Sequence, residues 1–401
     1  MKKGPGQIYR FYSGAPFKIW QDLVKMLYIT KLYIGTPPQL FRVAIDISWT
    51  GMLSYGYDRH LTEADLFIPS VHCEDAKYCN GYLKYNSTAS TTSAPNGTNT
   101  TIQYGAMWTQ GYLTKDTVYF AGLEIKEQLF EEATVMLEWS MFWDHAYDGV
   151  VGLSPTSATT DNNMSSPFSS IISQGLLNSN VFSIRLARPE YGELGETTMG
   201  GVNELYNRPF TRVPITTNLD PVFGGAWQVE ASGLYLGDDG RIANLSLSNY
   251  TAVLATGYAF IDLPYQIGDK LRDALEPIEQ VGLFDAVDCE RRSKFPDLTV
   301  QLGRDSNVTV TAFDYLLEEE IENHGRWCLL AFFSSRYSQD RGHGVDENVI
   351  VLGSAFLGAF YVVYDWDRQE IGCGFAACSY QSSSSIRDRA NQVILLVSKL
   401  R

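Results

Sequence analysis

The chain contains few histidines, and none of them is spaced as a metal ligand. Five histidines occur among 401 residues, whereas a zinc site usually takes about four ligands in compact Cys-x-x-Cys or His-x-x-x-His spacing. His72 lies beside Cys73, but one adjacent pair supplies too few ligands. The sequence therefore predicts no metal site, and it implies no cofactor.

Positive charge is also scarce, because the formal net charge at pH 7 is −15. A surface of this sign repels phosphate backbones and anionic membranes. Nucleic acid is therefore not expected as a partner.

Long apolar runs are missing at both ends of the chain. A membrane-spanning helix needs roughly 20 apolar residues, whereas the run at 393–397 is only VILLV and follows the Ser-rich stretch SYQSSSS. The N-terminal stretch GPGQIYRFYSGAPFKIW lacks the unbroken apolar region of a signal peptide. We expect no membrane segment in this chain, and a signal sequence that is missing or trimmed.

Two common catalytic patterns are absent as well. The stretch GLSPT lacks the G-x-S-x-G pattern of a nucleophile elbow. The stretch YGAMW lacks the Gly and Lys pattern of a phosphate loop. The sequence therefore favours neither a Ser-His-Asp hydrolase nor a nucleotide-binding protein.

Cysteines and glycosylation sequons indicate an oxidising compartment. Six cysteines form two close pairs and one pair 39 residues apart, which predicts three local disulfides. Several sequons of the form N-x-S/T lie close together in the run YNSTASTTSAPNGTNTT, which is typical of an exposed loop in a secreted or lumenal protein. The sequons begin at Asn86, Asn96, Asn99, Asn163, Asn244, Asn249 and Asn307.

Most of the chain has the pattern of short strands separated by Gly, Pro, Asn and Asp, so we predict a mostly-β protein. Helical periodicity is confined to three stretches, 165–177, 267–275 and 312–319.

The sequence also contains an internal repeat. Three apolar residues precede Asp46, and three apolar residues precede Asp262. Roughly a hundred residues after each aspartate, an apolar-apolar-Gly element ends at Gly152 and at Gly353. Two lobes with one carboxylate each would bring both carboxylates to the cleft between the lobes, where ligands usually bind.

These motifs and their order resemble the pepsin-like aspartic proteases over about residues 28–378. YIGTPPQLFRVAID is similar to the strands that lead to the first catalytic aspartate, and IQYGAMWTQGYLTKDTV is similar to the flap, with Tyr104 as its tyrosine. YDGVVGLS and VIVLGSAFLGAFYVVYDWDRQEIGCG resemble the segments that brace the two catalytic loops. FIPSVHCEDAKYC resembles the disulfide loop of the first lobe.

The resemblance implies a bilobal, mostly-β pepsin-like fold with a central cleft between two duplicated lobes. The expected parts are an N-terminal extension (1–27), an N-terminal lobe (28–205), a C-terminal lobe (206–380) and a Ser-rich tail (381–401). It also implies disulfides Cys73–Cys79 and Cys289–Cys328. The remaining pair, Cys373–Cys378, does not match the usual third bridge of the family, and we predict it from spacing alone.

In this family two carboxylates share a proton, and the ionised one activates a water while the protonated one donates to the scissile carbonyl. By position, Asp46 and Asp262 are the expected pair. The family pattern at each site is Asp-Thr/Ser-Gly, in which the hydroxyls lock the two loops together. Here the triplets are Asp46-Ile47-Ser48 and Asp262-Leu263-Pro264, so both locking hydroxyls are expected to be lost.

Other departures lie around the cleft. Trp49 and Tyr265 follow the two triplets, and Phe67 stands where the family has the tryptophan that holds the flap tyrosine. An insertion of about a dozen residues, SYGYDRHLTEADL, precedes Phe67.

We therefore expect a secreted or lumenal, monomeric homologue that binds peptide or protein segments in its cleft with weak or no cleavage. Two alternatives stay open. The chain is an active acid endopeptidase that uses Asp46 and Asp262, or it is a non-catalytic surface or structural glycoprotein.

Overall fold

The computed structural model describes residues 7–11, 28–48, 66–73, 79–104, 107–138, 147–154, 165–188, 195–206, 209–217, 225–237, 240–275, 279–281, 284–321, 325–334 and 348–375. Strands dominate them, as the sequence predicts. Their bounds are β1 Gln7–Phe11, β2 Ile29–Ile34, β3 Gln39–Asp46, β4 Leu66–Pro69, β5 Ala94–Tyr104, β6 Met107–Phe120, β7 Leu123–Glu138, β8 Gly149–Gly152, β9 Val181–Arg185, β10 Gly195–Met199, β11 Thr211–Pro214, β12 Gln228–Leu236, β13 Ala243–Leu254, β14 Ile261–Leu263, β15 Glu279–Val281, β16 Phe284–Val287, β17 Leu298–Leu302, β18 Ser306–Val310, β19 Leu316–Ile321, β20 Gly325–Leu330, β21 Phe332–Ser334, β22 Val349–Leu352, β23 Phe360–Asp365 and β24 Glu370–Phe375.

Each half of the chain has its own seven-stranded sheet. In the first half the strand order is β2-β3-β8-β4-β7-β6-β5, and in the second it is β18-β17-β12-β13-β22-β14-β21. Both sheets contain the same parallel element, because β3 pairs in parallel with β8 and β13 pairs in parallel with β22. The two halves are therefore built around the same pair of parallel strands, β3 with β8 and β13 with β22.

A six-stranded sheet joins the two halves in the order β1-β10-β9-β23-β24-β11. Strand β9 from the first half pairs with β23 from the second, and the N-terminal strand β1 lies at one edge beside β10. The predicted N-terminal extension therefore contributes a strand to this sheet. A separate four-stranded sheet, β15-β16-β20-β19, belongs to the second half.

Helices are few and short among the described residues: α1 Pro167–Ser173, α2 Tyr265–Leu275, α3 Ala312–Tyr315 and α4 Ser354–Leu357. Helix α1 begins after Ser166, whose hydroxyl accepts from Ser169 N at 3.0 Å, and proline follows at the first helical position. The predicted helix at 312–319 is wrong in its second half. It ends at Tyr315 because the chain then enters β19, which pairs with β20.

The main hydrophobic core runs through both halves and includes buried residues such as Ile45, Ile184 and Leu254. Trp227 is a fully buried member of this core. Its indole packs edge-on against Phe182 with ring centroids 5.7 Å apart, and its Nε1 donates to Leu153 O at 3.0 Å. These contacts join residues of the second half to residues of the first.

Two of the three predicted disulfides are present, Cys73–Cys79 and Cys289–Cys328. The third prediction is wrong, because Cys373 is a buried free thiol. Cys373 lies within β24, where its backbone pairs with Val362 and Thr211 and its side chain enters the core. Cys378 lies outside the described residues. No helix within those residues is long and apolar enough to span a bilayer.

Candidate active site between the two lobes

Asp46 is the last residue of β3. It is 3% exposed, and its backbone pairs with Gly152 of β8 while its carbonyl accepts from Leu153 N at 2.8 Å. Its Oδ1 accepts from both Ser48 N at 2.8 Å and Ser48 Oγ at 2.7 Å. Ser48 therefore orients this carboxylate at a position where the family has glycine.

A half-buried ion pair lies at the middle of this strand. Asp148, just before β8, accepts from Arg42 N at 2.7 Å and from the Arg42 guanidinium at 2.8 and 3.2 Å. The same carboxylate also accepts from Leu83 N at 2.9 Å. These charge-assisted bonds tie β3 to β8 and to the 79–90 segment.

Strand register identifies the residue that is equivalent to Asp46 in the second lobe. In the first lobe Ile45 pairs with Val151, so Asp46 pairs with Gly152. In the second lobe Leu254 pairs with Leu352, which is followed by Gly353. Ala255 N donates to Leu352 O at 3.1 Å, which continues the ladder by one residue. Ala255 therefore stands opposite Gly353, at the position equivalent to Asp46.

The structure contradicts Asp262 as the partner of Asp46. Asp262 lies in β14, where it pairs with Val351, just as Phe67 of β4 pairs with Val150 in the first lobe. Val351 pairs with Asp262 on one side and with Val253 on the other, so Asp262 lies two strands away from Val253. Its counterpart in the first lobe is Phe67. With strands about 4.8 Å apart and a rise of about 3.3 Å per residue, Asp262 lies roughly 12 Å from Ala255. A proton-sharing pair needs a separation of about 3 Å.

The sequence pattern was ambiguous at this point. Three apolar residues precede Asp262, but three apolar residues also precede Ala255, which is followed by Thr256-Gly257. The overlooked signal was this Thr-Gly pair after a buried strand. It retains the last two positions of the family triplet and replaces the aspartate by alanine.

Thr256 locks the two loops together. Its Oγ1 accepts from Ile47 N at 3.1 Å and donates to Ile45 O at 2.9 Å, so one hydroxyl of the second lobe bonds on both sides of Asp46. The expectation that both locking hydroxyls are lost is therefore wrong. The reciprocal bonds from the first lobe cannot form from the side chain of Ile47, which is fully buried.

The loop after Ala255 keeps a compact shape. Gly353 N donates to Phe260 O at 3.0 Å, and Ser354 N donates to Tyr258 O at 2.7 Å. A Cβ on Gly353 would lie 2.1 Å from Phe260 O, so this position needs glycine. The loop architecture of the second lobe is thus retained although its carboxylate is not.

The flap-like hairpin is formed by β5 and β6, and its last backbone pair is Tyr104 with Met107. The side chain of Tyr104 lies outside the described part of the structure, as do Trp49 and residues 54–65 of the insertion. Phe67 is fully buried in a second hydrophobic cluster with Ala44 and Val150. It packs there without a polar group to offer the hairpin.

Five of the sequon asparagines are exposed: Asn96, Asn99, Asn244, Asn249 and Asn307. Asn86 is half-buried, and its Oδ1 accepts from Thr88 N at 3.1 Å and Thr88 Oγ1 at 2.7 Å. Asn163 lies outside the described residues.

Within the described residues, one group has donor atoms close enough for a metal, namely Cys289, Glu318 and Cys328. Both cysteines form a disulfide, and Glu318 pairs with Arg292 and Arg326. This group therefore offers no thiolate to a metal.

Comparison with known proteins agrees with this architecture. Residues 27–377 match the family described as eukaryotic aspartyl protease. Vacuolar protease A of Aspergillus fumigatus is 29% identical over 347 residues, which cover 86% of this chain and 78% of the relative. Cathepsin D of Dictyostelium discoideum is 30% identical over 376 residues (92% and 88%), and cathepsin D of Canis lupus familiaris is 29% identical over 393 residues (92% and 87%). The expected pepsin-like fold is confirmed by the family match.

Proposed function

Because the chain belongs to the eukaryotic aspartyl protease family, we propose that it binds peptide segments in the cleft between its lobes and cleaves them weakly or not at all. The observation that carries this proposal is Ala255, a methyl group at the position equivalent to Asp46.

The chemistry of the family explains the consequence. One carboxylate takes a proton from water while a second, protonated carboxyl donates to the substrate carbonyl. Asp46 can serve as an acceptor, but Ala255 can neither donate nor accept a proton. A positioned acid–base group contributes about 10²–10⁴-fold to a rate, so its loss removes about 3–5 kcal/mol of barrier lowering.

Peptide binding depends on other parts of the molecule. The chain retains the β5–β6 hairpin, the hydrogen bonds of Thr256 that join the two loops, and a hydrophobic core shared by both halves. Backbone groups along a cleft bind an extended peptide equally in its ground and transition states, so this affinity survives the loss of the chemical step.

The surroundings that we propose are the lumen of an acidic compartment or the exterior of the cell. Two features support this: the disulfides Cys73–Cys79 and Cys289–Cys328, and the five exposed sequons, at which we propose N-glycans. Relatives named as vacuolar proteases favour the vacuolar lumen.

The test uses the purified chain and a library of unstructured peptides between pH 3 and 6. We expect calorimetric binding of some peptides, no more than trace cleavage, and the same binding by Asp46→Asn within about threefold. Rapid, pepstatin-sensitive cleavage abolished by Asp46→Asn would establish the active endopeptidase instead. Absence of any peptide binding by a folded, glycosylated chain would favour the surface glycoprotein.

A further inference from the structure

Each lobe contains a carboxyl group at an equivalent pair of strand positions, outside the candidate active site. In the first lobe, parallel strands β4 and β7 pair Phe67 with Glu131. In the second lobe, parallel strands β14 and β21 pair Asp262 with Phe333. In the first lobe the aromatic residue is on the first strand of the pair and the carboxyl on the second, and in the second lobe this order is reversed. Each lobe therefore has one carboxyl in this strand pair.

Glu131 is fully buried in the first lobe. It lies next to Phe67 of β4 and Leu113 of β6, which belong to one hydrophobic cluster. Neither of its oxygens has an aligned hydrogen-bond partner among the described residues. Burial raises the pKa of Glu131 to about 7, and the nearby hydroxyls of Thr109 and Thr100 lower it only in part.

Asp262 is partly buried on the face of the second sheet that also carries Val253 and Ala255. Its Oδ1 is inaccessible to water and has no partner among the described residues. Burial raises the pKa of Asp262 to about 7, while the backbone N–H of Leu263 acts in the opposite direction.

We propose that Glu131 and Asp262, whose carboxyls have buried oxygens without partners among the described residues, form a pH-sensitive device: both lobes are tightly packed while the two carboxyls are protonated, and the packing around β4, β7 and β14 loosens when they ionise. The physical basis is that an ionised carboxylate in a buried, mostly apolar site is strongly disfavoured when its few nearby donors do not replace the lost hydration. The device does not depend on whether peptides bind in the cleft.

The direction of the effect follows from the raised pKa values. Below the ordinary pKa values of 4.5 and 3.8, the two carboxyls are mostly protonated in both the folded and the unfolded chain, so their ionisation does not lower the folding constant. As the pH rises towards 7 only the unfolded chain releases the protons, so each group lowers the folding constant by up to tenfold per pH unit. From ordinary values of 4.5 and 3.8 to about 7, the loss is on the order of 10²- to 10³-fold per group.

Within the part of the chain that the structure describes, few other titratable groups face these two carboxyls. In the cluster around Glu131 the titratable side chains of the described residues are the phenols of Tyr82 and Tyr147. Glu132 points to the opposite face of β7, where Ser70, Ser87 and Thr114 donate to it.

Asp262 pairs with Val351, which belongs to a small hydrophobic cluster with Val253 and Ala255. Among the described residues, the titratable side chain of that cluster is the phenol of Tyr258. The ion pairs of Arg272 with Asp269 and Asp285 lie beside Phe332.

Hydrogen exchange of the whole chain at pH 5 and pH 7.5, corrected for intrinsic rates, tests the proposal. In the parent we expect faster exchange at pH 7.5 in β4 and β7 and in β14 and β22. Glu131→Gln should remove the pH effect in the first lobe only, and Asp262→Asn should remove it in the second lobe only. Glu132→Gln is the matched control, because its hydroxyl partners already satisfy the carboxylate, and it should keep the parent's pH effect.

A second measurement covers the case in which a variant fails to fold. Infrared spectra of the parent at pH 5.5, where exposed carboxyls are mostly ionised, should show the carbonyl stretch of protonated carboxyls, and this band should disappear by pH 8.5. Absence of the band at pH 5.5 would overturn the proposal. So would exchange that is equally slow at both pH values, or a pH effect that persists unchanged in the Glu131→Gln, Asp262→Asn double variant.

Discussion

The replacement Ala255→Asp tests the assignment of the missing carboxylate. Ala255 is fully buried, its backbone N–H bonds to Leu352 O, and Thr256-Gly257 follow it. An aspartate here would complete the family triplet without changing the loop. Its carboxyl would lie beside Asp46, because Thr256 already bonds to the residues on either side of Asp46.

The size of the effect follows from what is restored and what is still absent. A second acid–base group is worth about 10²–10⁴ in rate. Ile47 still lacks the reciprocal locking hydroxyl, and a positional error near 1 Å costs about a hundredfold. We therefore expect Ala255→Asp alone to raise kcat/KM about tenfold or more, a barrier change of at least about 1.4 kcal/mol. Adding Ile47→Thr and Ser48→Gly should raise it further.

The assay is cleavage of a quenched acid-protease substrate between pH 2.5 and 6, with and without pepstatin. Asp46→Asn in the Ala255→Asp background should abolish the gained activity. Asp262→Asn in the same background should retain it, because Asp262 lies roughly 12 Å from the restored pair. The assignment fails if the parent already cleaves at the rate of the rescued variant, or if Asp262→Asn removes the activity.

Two further predictions concern stability and reactivity. Thr256→Val should lower the free energy of unfolding, measured in urea, by about 2–6 kcal/mol, because Ile47 N and Ile45 O each lose a buried partner at about 1–3 kcal/mol. Thr256→Ser keeps the hydroxyl and should be much less destabilised. Equal losses of stability in the two variants would contradict the role of the Thr256 hydroxyl in joining the two loops. Cys373 should react with a thiol reagent only after unfolding, since burial raises the pKa of its thiol to about 12; modification of the native chain at the rate of an exposed thiol would refute its burial.

Much of the fold could be predicted from local sequence patterns and from the resemblance to a known family. The alternation of apolar residues predicted a mostly-β chain. The order of motifs indicated the pepsin-like fold, the hairpin with Tyr104 next to its turn, and two disulfides. These features depend on residues close together in sequence, such as the segment between Cys73 and Cys79, or on motifs that are long enough to be specific.

Spacing alone was insufficient for Cys373. Its five-residue separation from Cys378 suggested a bridge, but β24 continues through Cys373 and turns its side chain into the core. Whether a cysteine can reach a neighbour depends on the direction of its Cβ. That direction is a property of the strand and its partners.

The residues around Asp46 are enough to predict that it ends a buried strand braced by an apolar-apolar-Gly element. They are not enough to identify its counterpart in the second lobe, because an apolar triplet precedes both Ala255 and Asp262. Register separates them: β13 runs parallel to β22 and brings Ala255 to Gly353, whereas β14 runs antiparallel to β22 and takes Asp262 away. A side chain's place in a sheet depends on which strand it pairs with, and that pairing is set by the packing of the whole lobe.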